Sequence, residues 1–292
     1  MCDEDTVIES NSYLAQGTKM GRRDFNKLAV GAAAILMLPP VANALEVVGH
    51  DVMVNTPDGD ADCYFVHPAK GKHPGVIIWP DILGLRPAFR LMGERLAKSG
   101  YSVLVVNPYY RSARSPVIEP GASFQDAKTR NRVMPYYRAL SAETNVTDAK
   151  AYVAYLDAQN AVDVKRKIGT TGYCMGGPMV MRTAAALPER IGAGGSFHGS
   201  GLVTNDAESP HLLIKNMQAD LLIAVAANDD ARAPNDKEVL RKTFAKYGLK
   251  AEIEVYEGAM HGWCPPDSRV YHEKQAEQAW VRLLHTFENA LG

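Results

Sequence analysis

The sequence is poor in cysteine, in net charge and in long apolar runs. Four cysteines in 292 residues are too few for a disulfide-stapled scaffold. The balance of 32 Lys and Arg against 33 Asp and Glu gives a net charge of −1. The composition therefore lacks the excess of positive charge that is typical of proteins that bind nucleic acid or an anionic membrane surface. What remains is a globular chain whose 46% hydrophobic residues are ample for one large core.

An export-signal pattern precedes the globular part of the chain. Arg22 and Arg23 are followed by an apolar run over residues 28–38 and by the small-residue sequence Ala42-Asn43-Ala44. This order resembles a twin-arginine export signal of bacterial type with cleavage after Ala44. The run is much shorter than the roughly 20 residues of a transmembrane helix, and an uncleaved N-terminal anchor is the alternative.

Such cleavage would separate a removed signal, residues 1–44, from a single domain, residues 45–292. The resemblance implies the twin-arginine export machinery as a partner, a periplasmic or secreted location, and no stable membrane anchor after cleavage. Cys63, Cys174 and Cys264 would then reach an oxidising compartment. Because three is an odd number, at least one of them stays a free thiol or forms an intermolecular bond.

Short apolar runs alternate with longer amphipathic segments through the rest of the chain. Continuous apolar strands separated by helices predict an α/β fold with a mostly parallel sheet covered on both faces. Two further runs, residues 47–54 and 61–67, predict an antiparallel edge hairpin, and residues 112–135 predict an irregular excursion over a site. The predicted strands are residues 75–79, 102–106, 168–171, 221–226 and 251–256, and the predicted helices are residues 86–99, 142–158, 178–186, 236–247 and 273–290.

The motif Gly172-Tyr173-Cys174-Met175-Gly176-Gly177 places a thiol at the centre of a G-x-nucleophile-x-G turn between a predicted strand and a predicted helix. In such an elbow the nucleophile adopts a strained backbone conformation, and glycines flank it because a Cβ would clash in so tight a turn. The backbone N–H of Met175 then lies at a helix start, where it can help to hold an oxyanion. The alternative is a buried structural cysteine beside a glycine-rich turn.

A thiol nucleophile needs a base, and the base needs an orienting acid. Asp229 and Asp230 directly follow one predicted strand, and His261 follows the next. This order of nucleophile, acid and base is typical of α/β-hydrolases, and both loops belong to the carboxyl edge of the sheet. The offset to Pro234 favours Asp230 over Asp229 as the acid. A surface-loop role is the alternative for His261.

The chain resembles the dienelactone hydrolase family over about residues 47–290. Three segments carry the resemblance: Trp79-Pro80-Asp81-Ile82-Leu83-Gly84-Leu85-Arg86-Pro87 continued by residues 95–101, then the elbow around Cys174, then Asp230 and Pro234 followed by His261-Gly262-Trp263. The family implies an α/β-hydrolase fold, a small-molecule lactone or ester substrate, and no cofactor or metal. A cysteine instead of a serine at the elbow distinguishes this family from ordinary esterases.

The resemblance also implies a mechanism. Cys174 would attack the ester or lactone carbonyl and form an acyl thioester, which water then hydrolyses. His261 would pair with the thiolate and later activate the water, while Asp230 would hold the imidazole tautomer. The backbone N–H groups of Ile82 and Met175 would form the oxyanion hole.

Three further residues are implied in substrate binding. Asp81 stands where the family has a glutamate that keeps the resting thiol protonated, with a helix N-cap as the alternative. Arg111 matches the first of two arginines that bind a substrate carboxylate, although a solvated loop charge is the alternative, and Pro265 stands in place of the second. Trp263, two residues after the histidine, completes this expected set.

The same motifs also fit other functions. The same triad could serve a thioesterase, an acyltransferase or a peptidase, or the chain could be a binding protein of this fold without chemistry. His198 lacks neighbours at ligand spacing, which favours a packed pocket histidine over a metal ligand. Cys264, three residues after His261, is a bystander thiol or the partner of Cys174 in a regulatory disulfide.

Overall fold

A computed structural model describes residues 4–17 and 37–291 of the chain. The arginine pair and most of the apolar run of the expected export signal lie outside these described residues. One sheet of eight strands forms the centre of the fold, in the order β1-β2-β4-β3-β5-β6-β7-β8. The strands are β1 (Val47–Thr56), β2 (Gly59–Pro68), β3 (Gly75–Trp79), β4 (Ser102–Val106), β5 (Ile168–Tyr173), β6 (Ile191–Phe197), β7 (Asp220–Ala226) and β8 (Ala251–Tyr256).

Helices cover both faces of this sheet. The helices of the described residues are α1 (Glu4–Gly17), α2 (Pro87–Lys98), α3 (Ala127–Arg138), α4 (Ala142–Asp157), α5 (Gly176–Ala186), α6 (Ala227–Arg232), α7 (Asp236–Lys246) and α8 (Glu273–Leu291), with a short 3₁₀ helix over Pro210–Asn216. Within the described part of the chain, no helix combines the length and the apolar character that crossing a bilayer requires.

The strand pairing confirms the predicted α/β architecture. Strand β1 pairs with β2, and β2 with β4, in antiparallel orientation. The remaining neighbours pair in parallel, in the order β4-β3-β5-β6-β7-β8. Strands β3 and β4 are buried at every residue, as expected for strands covered on both faces. Buried side chains form one cluster under α4 and α5, which includes Leu156 and Val180, and another under α2 and α8, which includes Phe89 and Phe287.

The prediction of an irregular segment over residues 112–135 is wrong at its C-terminal end, where α3 begins at Ala127. Thr129 and Val133 are its buried residues and lie four positions apart, so the helix packs on the core through one face. Pro135 lies inside α3. Because proline disfavours the interior of a helix, the sequence pattern does not predict a helix here.

The carboxyl edge of the sheet positions the candidate site. Because β3, β5, β7 and β8 run parallel, the loops that follow them open on the same edge. The segments that directly follow these strands carry Asp81, Cys174, Asp229 and His261 respectively, with Asp229 on the short helix α6.

Candidate active site

Cys174 lies in a sharp turn between β5 and α5. Its φ of 55° is in the left-handed region, which costs a residue with a Cβ about 1 kcal/mol or more. A Cβ on Gly172 would lie 2.2 Å from the carbonyl oxygen of Gly176, and one on Gly176 would lie 2.4 Å from the carbonyl oxygen of Trp79. The flanking glycines are therefore required, as the motif predicts, and the turn has the geometry of a nucleophile elbow.

The carboxylate paired with His261 belongs to Asp229. Oδ2 of Asp229 lies 2.7 Å from Nδ1 of His261, and the backbone N–H of His261 donates to Oδ1 of Asn228 at 2.8 Å. The carboxylate of Asp230 instead accepts two hydrogen bonds from Nζ of Lys237, at 2.6 and 2.7 Å. The prediction of Asp230 as the acid is therefore wrong.

Local helix geometry explains this correction. Helix α6 starts at Ala227, directly after β7, so the two aspartates lie on a helical turn rather than on an extended loop. Successive helical residues point about 100° apart, and only one of them can face His261. Asp229 does so, and Asp230 faces α7 and Lys237.

Electrostatics link the histidine to both of its neighbours. Burial disfavours the imidazolium of His261, but the charge of Asp229, the charge of Cys174 and hydrogen bonds to both side chains outweigh burial and raise its pKa to about 10. Burial likewise disfavours the Asp229 carboxylate, yet the charge of His261 and its hydrogen bond lower the pKa of Asp229 below its usual value. The three groups therefore behave as one coupled charge system.

His198 and Trp263 support this system from behind. The ring centroid of His198 lies 5.0 Å from that of His261 and 5.1 Å from that of Trp263. Burial lowers the pKa of His198 well below its usual range, so this imidazole is neutral. Trp263 is fully buried and stacks on Tyr256 at 5.3 Å, so the prediction that Trp263 contacts substrate is wrong. It follows that Trp263 fixes the rings behind the site.

The carboxylate of Asp81 is paired with an arginine. Its carboxylate accepts hydrogen bonds from Nη1 and Nη2 of Arg86 at 2.7 and 2.9 Å, and from the backbone N–H of Leu83 at 2.9 Å. Arg86 also pairs through Nε with Asp267 at 2.6 Å. Asp81 is not the N-cap of α2 either, because that position is Arg86. The acidic switch implied for Asp81 is thus replaced by an ion-pair clamp in the wall of the site.

Arg111 does not reach the site. Its guanidinium pairs with Asp148 on α4 at 2.7 Å and with Asp58 in the β1–β2 turn at 2.6 Å. Asp148 is 2% exposed, and a buried carboxylate requires such a cation. The substrate-binding role expected for Arg111 is therefore wrong. Arg269, which follows Pro265 by four residues in the sequence, pairs with Asp126 at 3.0 Å.

Two cavities meet at Cys174. The smaller, of about 70 Å³, is lined by Asp81, Ile82, Cys174 and His261 among others. The larger, of about 470 Å³, is bounded by Ile82, Cys174 and Met175 on one side and by residues of α3, α5 and the loop after β6 on the other. The expected oxyanion-hole residues Ile82 and Met175 thus border the same space as the thiol.

Helix α1 closes the smaller cavity. Thr6, Val7 and Ser10 are buried in its wall. Nδ2 of Asn228 donates to the Glu9 carboxylate at 2.6 Å, and Nη1 of Arg232 donates to the hydroxyl of Thr6 at 3.2 Å. Because Asn228 and Arg232 belong to α6, the N-terminal helix is fastened to the element that carries Asp229.

The remaining thiols show no sign of chemistry. Cys63 and Cys264 are buried free thiols, and no disulfide joins Cys264 to Cys174. Burial raises the pKa of Cys264 well above its usual value, which keeps this thiol protonated and unreactive. Among the described residues, no group of His, Cys, Asp and Glu is arranged to hold a metal ion.

The sheet order, the elbow and the loop histidine define an α/β-hydrolase. A crystal structure of a "putative dienelactone hydrolase" from Klebsiella pneumoniae has the same fold, with a TM-score of 0.71, 21% identity, and coverage of 83% of this chain and 99% of that one. A sequence profile described as the dienelactone hydrolase family matches residues 61–291. The chain therefore belongs to the dienelactone hydrolase family, a family of carboxylic ester hydrolases.

Individual relatives agree with this assignment. A Synechocystis protein named "putative carboxymethylenebutenolidase" is 29% identical over 233 residues, which cover 78% of this chain and 91% of that protein. The carboxymethylenebutenolidase of Pseudomonas putida is 24% identical over 219 residues, which cover 74% of this chain and 86% of that enzyme. The similarity thus extends over most of each chain.

Proposed function

We propose that this protein hydrolyses lactones or small esters with a triad of Cys174, His261 and Asp229, through an acyl-thioester intermediate. The observation that carries the proposal is the continuous chain of contacts at the carboxyl edge of the sheet. Cys174 occupies the strained elbow, His261 hydrogen-bonds to it, and Asp229 lies 2.7 Å behind the imidazole. A structural cysteine would need neither the strain nor the buried histidine.

In the proposed acylation step, the thiolate of Cys174 attacks the carbonyl carbon and the C=O electron pair moves to oxygen. The backbone N–H groups of Ile82 and Met175 stabilise that oxyanion. When the intermediate collapses, the ester C–O bond breaks and the imidazolium of His261 donates its proton to the leaving alcohol. The products of this step are the acyl thioester on Cys174 and the alcohol, which is released from an ester and stays attached to the acyl chain in the case of a lactone.

Deacylation reverses these roles. Neutral His261 takes a proton from water, whose oxygen attacks the thioester carbon, and the same two backbone N–H groups stabilise the second oxyanion. The carbon–sulfur bond then breaks, which releases the carboxylic acid and restores Cys174 beside the imidazolium. Asp229 holds the Nδ1 proton through both steps and stabilises the charged ring.

We also propose that residues 1–44 form an export signal and that residues 45–292 act as one domain in the periplasm or outside the cell. The residue order around Arg22 and Arg23 supports this proposal. Fractionation of cells that express the chain tests it, since lysines in place of both arginines should leave the protein in the cytoplasm.

Turnover by residues 45–292, with and without Cys174→Ala, tests the hydrolase. The panel pairs carboxylate-bearing lactones and esters with neutral esters and with acyl thioesters. Ester or lactone turnover that disappears in Cys174→Ala supports the proposal. Turnover confined to thioesters would favour a thioesterase, and no turnover that depends on Cys174 would favour a binding protein of this fold.

A further inference from the structure

An unpaired arginine lines the larger cavity at Cys174. Arg182 lies on α5, the helix that starts at the elbow, and borders this cavity together with Cys174 and Met175. Its Nε is buried and has no hydrogen-bond partner. Within the described part of the chain, its guanidinium forms no hydrogen bond or ion pair. Burying a hydrogen-bond donor without a partner is unfavourable. The neighbouring residues supply no anion to this guanidinium, so a bound anion would fill that role.

Three other arginines, which lie near the site or match the family's carboxylate-binding position, are already neutralised. Arg86 is shared by two carboxylates, Arg111 by two others, and Arg269 by one. Arg138 also lines the larger cavity, but its side chain is exposed to solvent at the rim. Arg182 therefore differs from the rest, because it is partly buried, uncompensated and open to the space that the thiol faces.

Helix geometry brings Arg182 within reach of a substrate held at the elbow. It lies six residues after Gly176, about 9 Å along the helix axis at 1.5 Å per residue. Helical side chains tilt towards the N-terminus of their helix, which for α5 is the end that carries Cys174. Because Cys174 and Arg182 line the same cavity, an ester whose carbonyl lies at Cys174 can place its far end in the space that the guanidinium borders.

The acidic residues around the cavity leave this charge available. Burial lowers the pKa of Arg182, and the charge of Glu208, followed by Tyr137, opposes that effect. Glu208 and Asp206 line the cavity from an exposed loop, and neither forms an ion pair with Arg182. An arginine remains charged at neutral pH even in such surroundings, and it pairs best with a planar carboxylate.

We propose that Arg182 binds the carboxylate of an anionic ester or lactone in the larger cavity while Cys174 attacks the carbonyl of the same molecule. The proposal rests on the hydrolase function proposed above and specifies its substrate class. It assigns carboxylate recognition to the helix after the elbow, in place of Arg111 and of the position that Pro265 occupies.

The test compares p-nitrophenyl hydrogen glutarate with p-nitrophenyl valerate, which differ by a carboxylate in place of a terminal methyl group. For Arg182→Gln we expect kcat/KM for the glutarate ester to fall roughly 10- to 100-fold more than for the valerate ester, mainly through KM. Arg182→Lys should restore part of this preference because it keeps the charge. The matched control is Arg132→Gln on α3, a residue that is exposed and outside the cavity. It removes the same charge and should leave both substrates unaffected.

Equal losses on both esters in Arg182→Gln would overturn the proposal, as would an unchanged preference. A binding measurement separates this outcome from a failure of the hydrolase function. Monomethyl glutarate is titrated calorimetrically into Cys174→Ala with and without Arg182→Gln, so no turnover is needed. Weaker binding by roughly tenfold or more in the double variant supports the carboxylate site even in an inactive protein, and equal binding contradicts it.

Discussion

Oδ2 of Asp229 lies 2.7 Å from Nδ1 of His261, while its neighbour Asp230 is held by Lys237. Asp229→Asn should lower kcat roughly 10²- to 10⁴-fold, because the asparagine amide cannot stabilise the imidazolium or hold its tautomer. Asp230→Asn removes the same charge one residue away and should stay close to wild type. Steady-state kinetics on a neutral ester separates the two residues, and the opposite order would return the acid to Asp230.

The pKa values of the two buried histidines should be shifted in opposite directions. The pKa of His261 is raised to about 10, whereas that of His198 is lowered well below its usual value of about 6.5. NMR titration of ¹⁵N-histidine protein should show a charged His261 and a neutral His198 throughout pH 6 to 8. In Asp229→Asn the pKa of His261 should fall, since the largest favourable charge is removed. A neutral His261 at pH 7 in the wild type would contradict the assigned ion pairs.

The same shift predicts how His261 affects stability. The pKa of His261 in the folded state lies above the unfolded value of about 6.5, so protonated His261 stabilises the fold. This stabilisation is fully present below about pH 6.5. This contribution should be lost as pH rises through about 10. Urea unfolding across this range should show a smaller difference between wild type and His261→Gln at the alkaline end, and a difference that grows with pH would be inconsistent with this sign.

Arg86 should be important for stability because it neutralises both Asp81 and Asp267. The Arg86→Gln change leaves two carboxylates without their cation and should lower the free energy of unfolding by about 3 kcal/mol or more. The control is Arg90→Gln, which breaks an exposed pair with Asp51 and should cost about 0–1 kcal/mol. Urea denaturation measures both, and similar costs would mean that the clamp carries little energy.

Helix α1 should limit access to the site in the full chain. Val7→Asp introduces a charge at a buried position in the cavity wall and should detach the helix, whereas Ile8→Asp alters a side chain that is 61% exposed. Val7→Asp and the chain of residues 45–292 should therefore show faster labelling of Cys174 by iodoacetamide than the full wild-type chain. Each 1.4 kcal/mol of lost helix docking corresponds to about tenfold in open population. Equal rates in all four proteins would show that α1 does not restrict the thiol.

The sequence was most informative where one local rule determines the structure. Strands β4 and β8 have the predicted bounds, because continuous or alternating apolar runs between turn residues admit few other structures. The elbow was equally clear, since the glycines around Cys174 are required by contacts with backbone atoms. Strand β6 is not among the strands predicted above, because its sequence IGAGGSF contains three glycines and carries a weak strand pattern.

Side-chain partners could not be read from the sequence, because they depend on which face of an element each residue occupies. The adjacent Asp229 and Asp230 differ only in their direction on α6, and a helix directly after β7 was not predicted. Arg111 matches a family position, yet its partner Asp148 comes from a helix whose packing the sequence does not reveal. The roles of Arg86 and Arg182 were missed for the same reason.

In the proposed mechanism Cys174 forms a covalent acyl intermediate. Intact-protein mass spectrometry after rapid acid quenching of a reaction with p-nitrophenyl valerate tests it most directly. We expect a mass increase of one valeryl group, located by peptide mapping on Cys174, absent in Cys174→Ala, and longer-lived in His261→Gln if that variant still acylates. Steady turnover that persists in Cys174→Ala, or an acyl group located on another residue, would contradict Cys174 as the nucleophile.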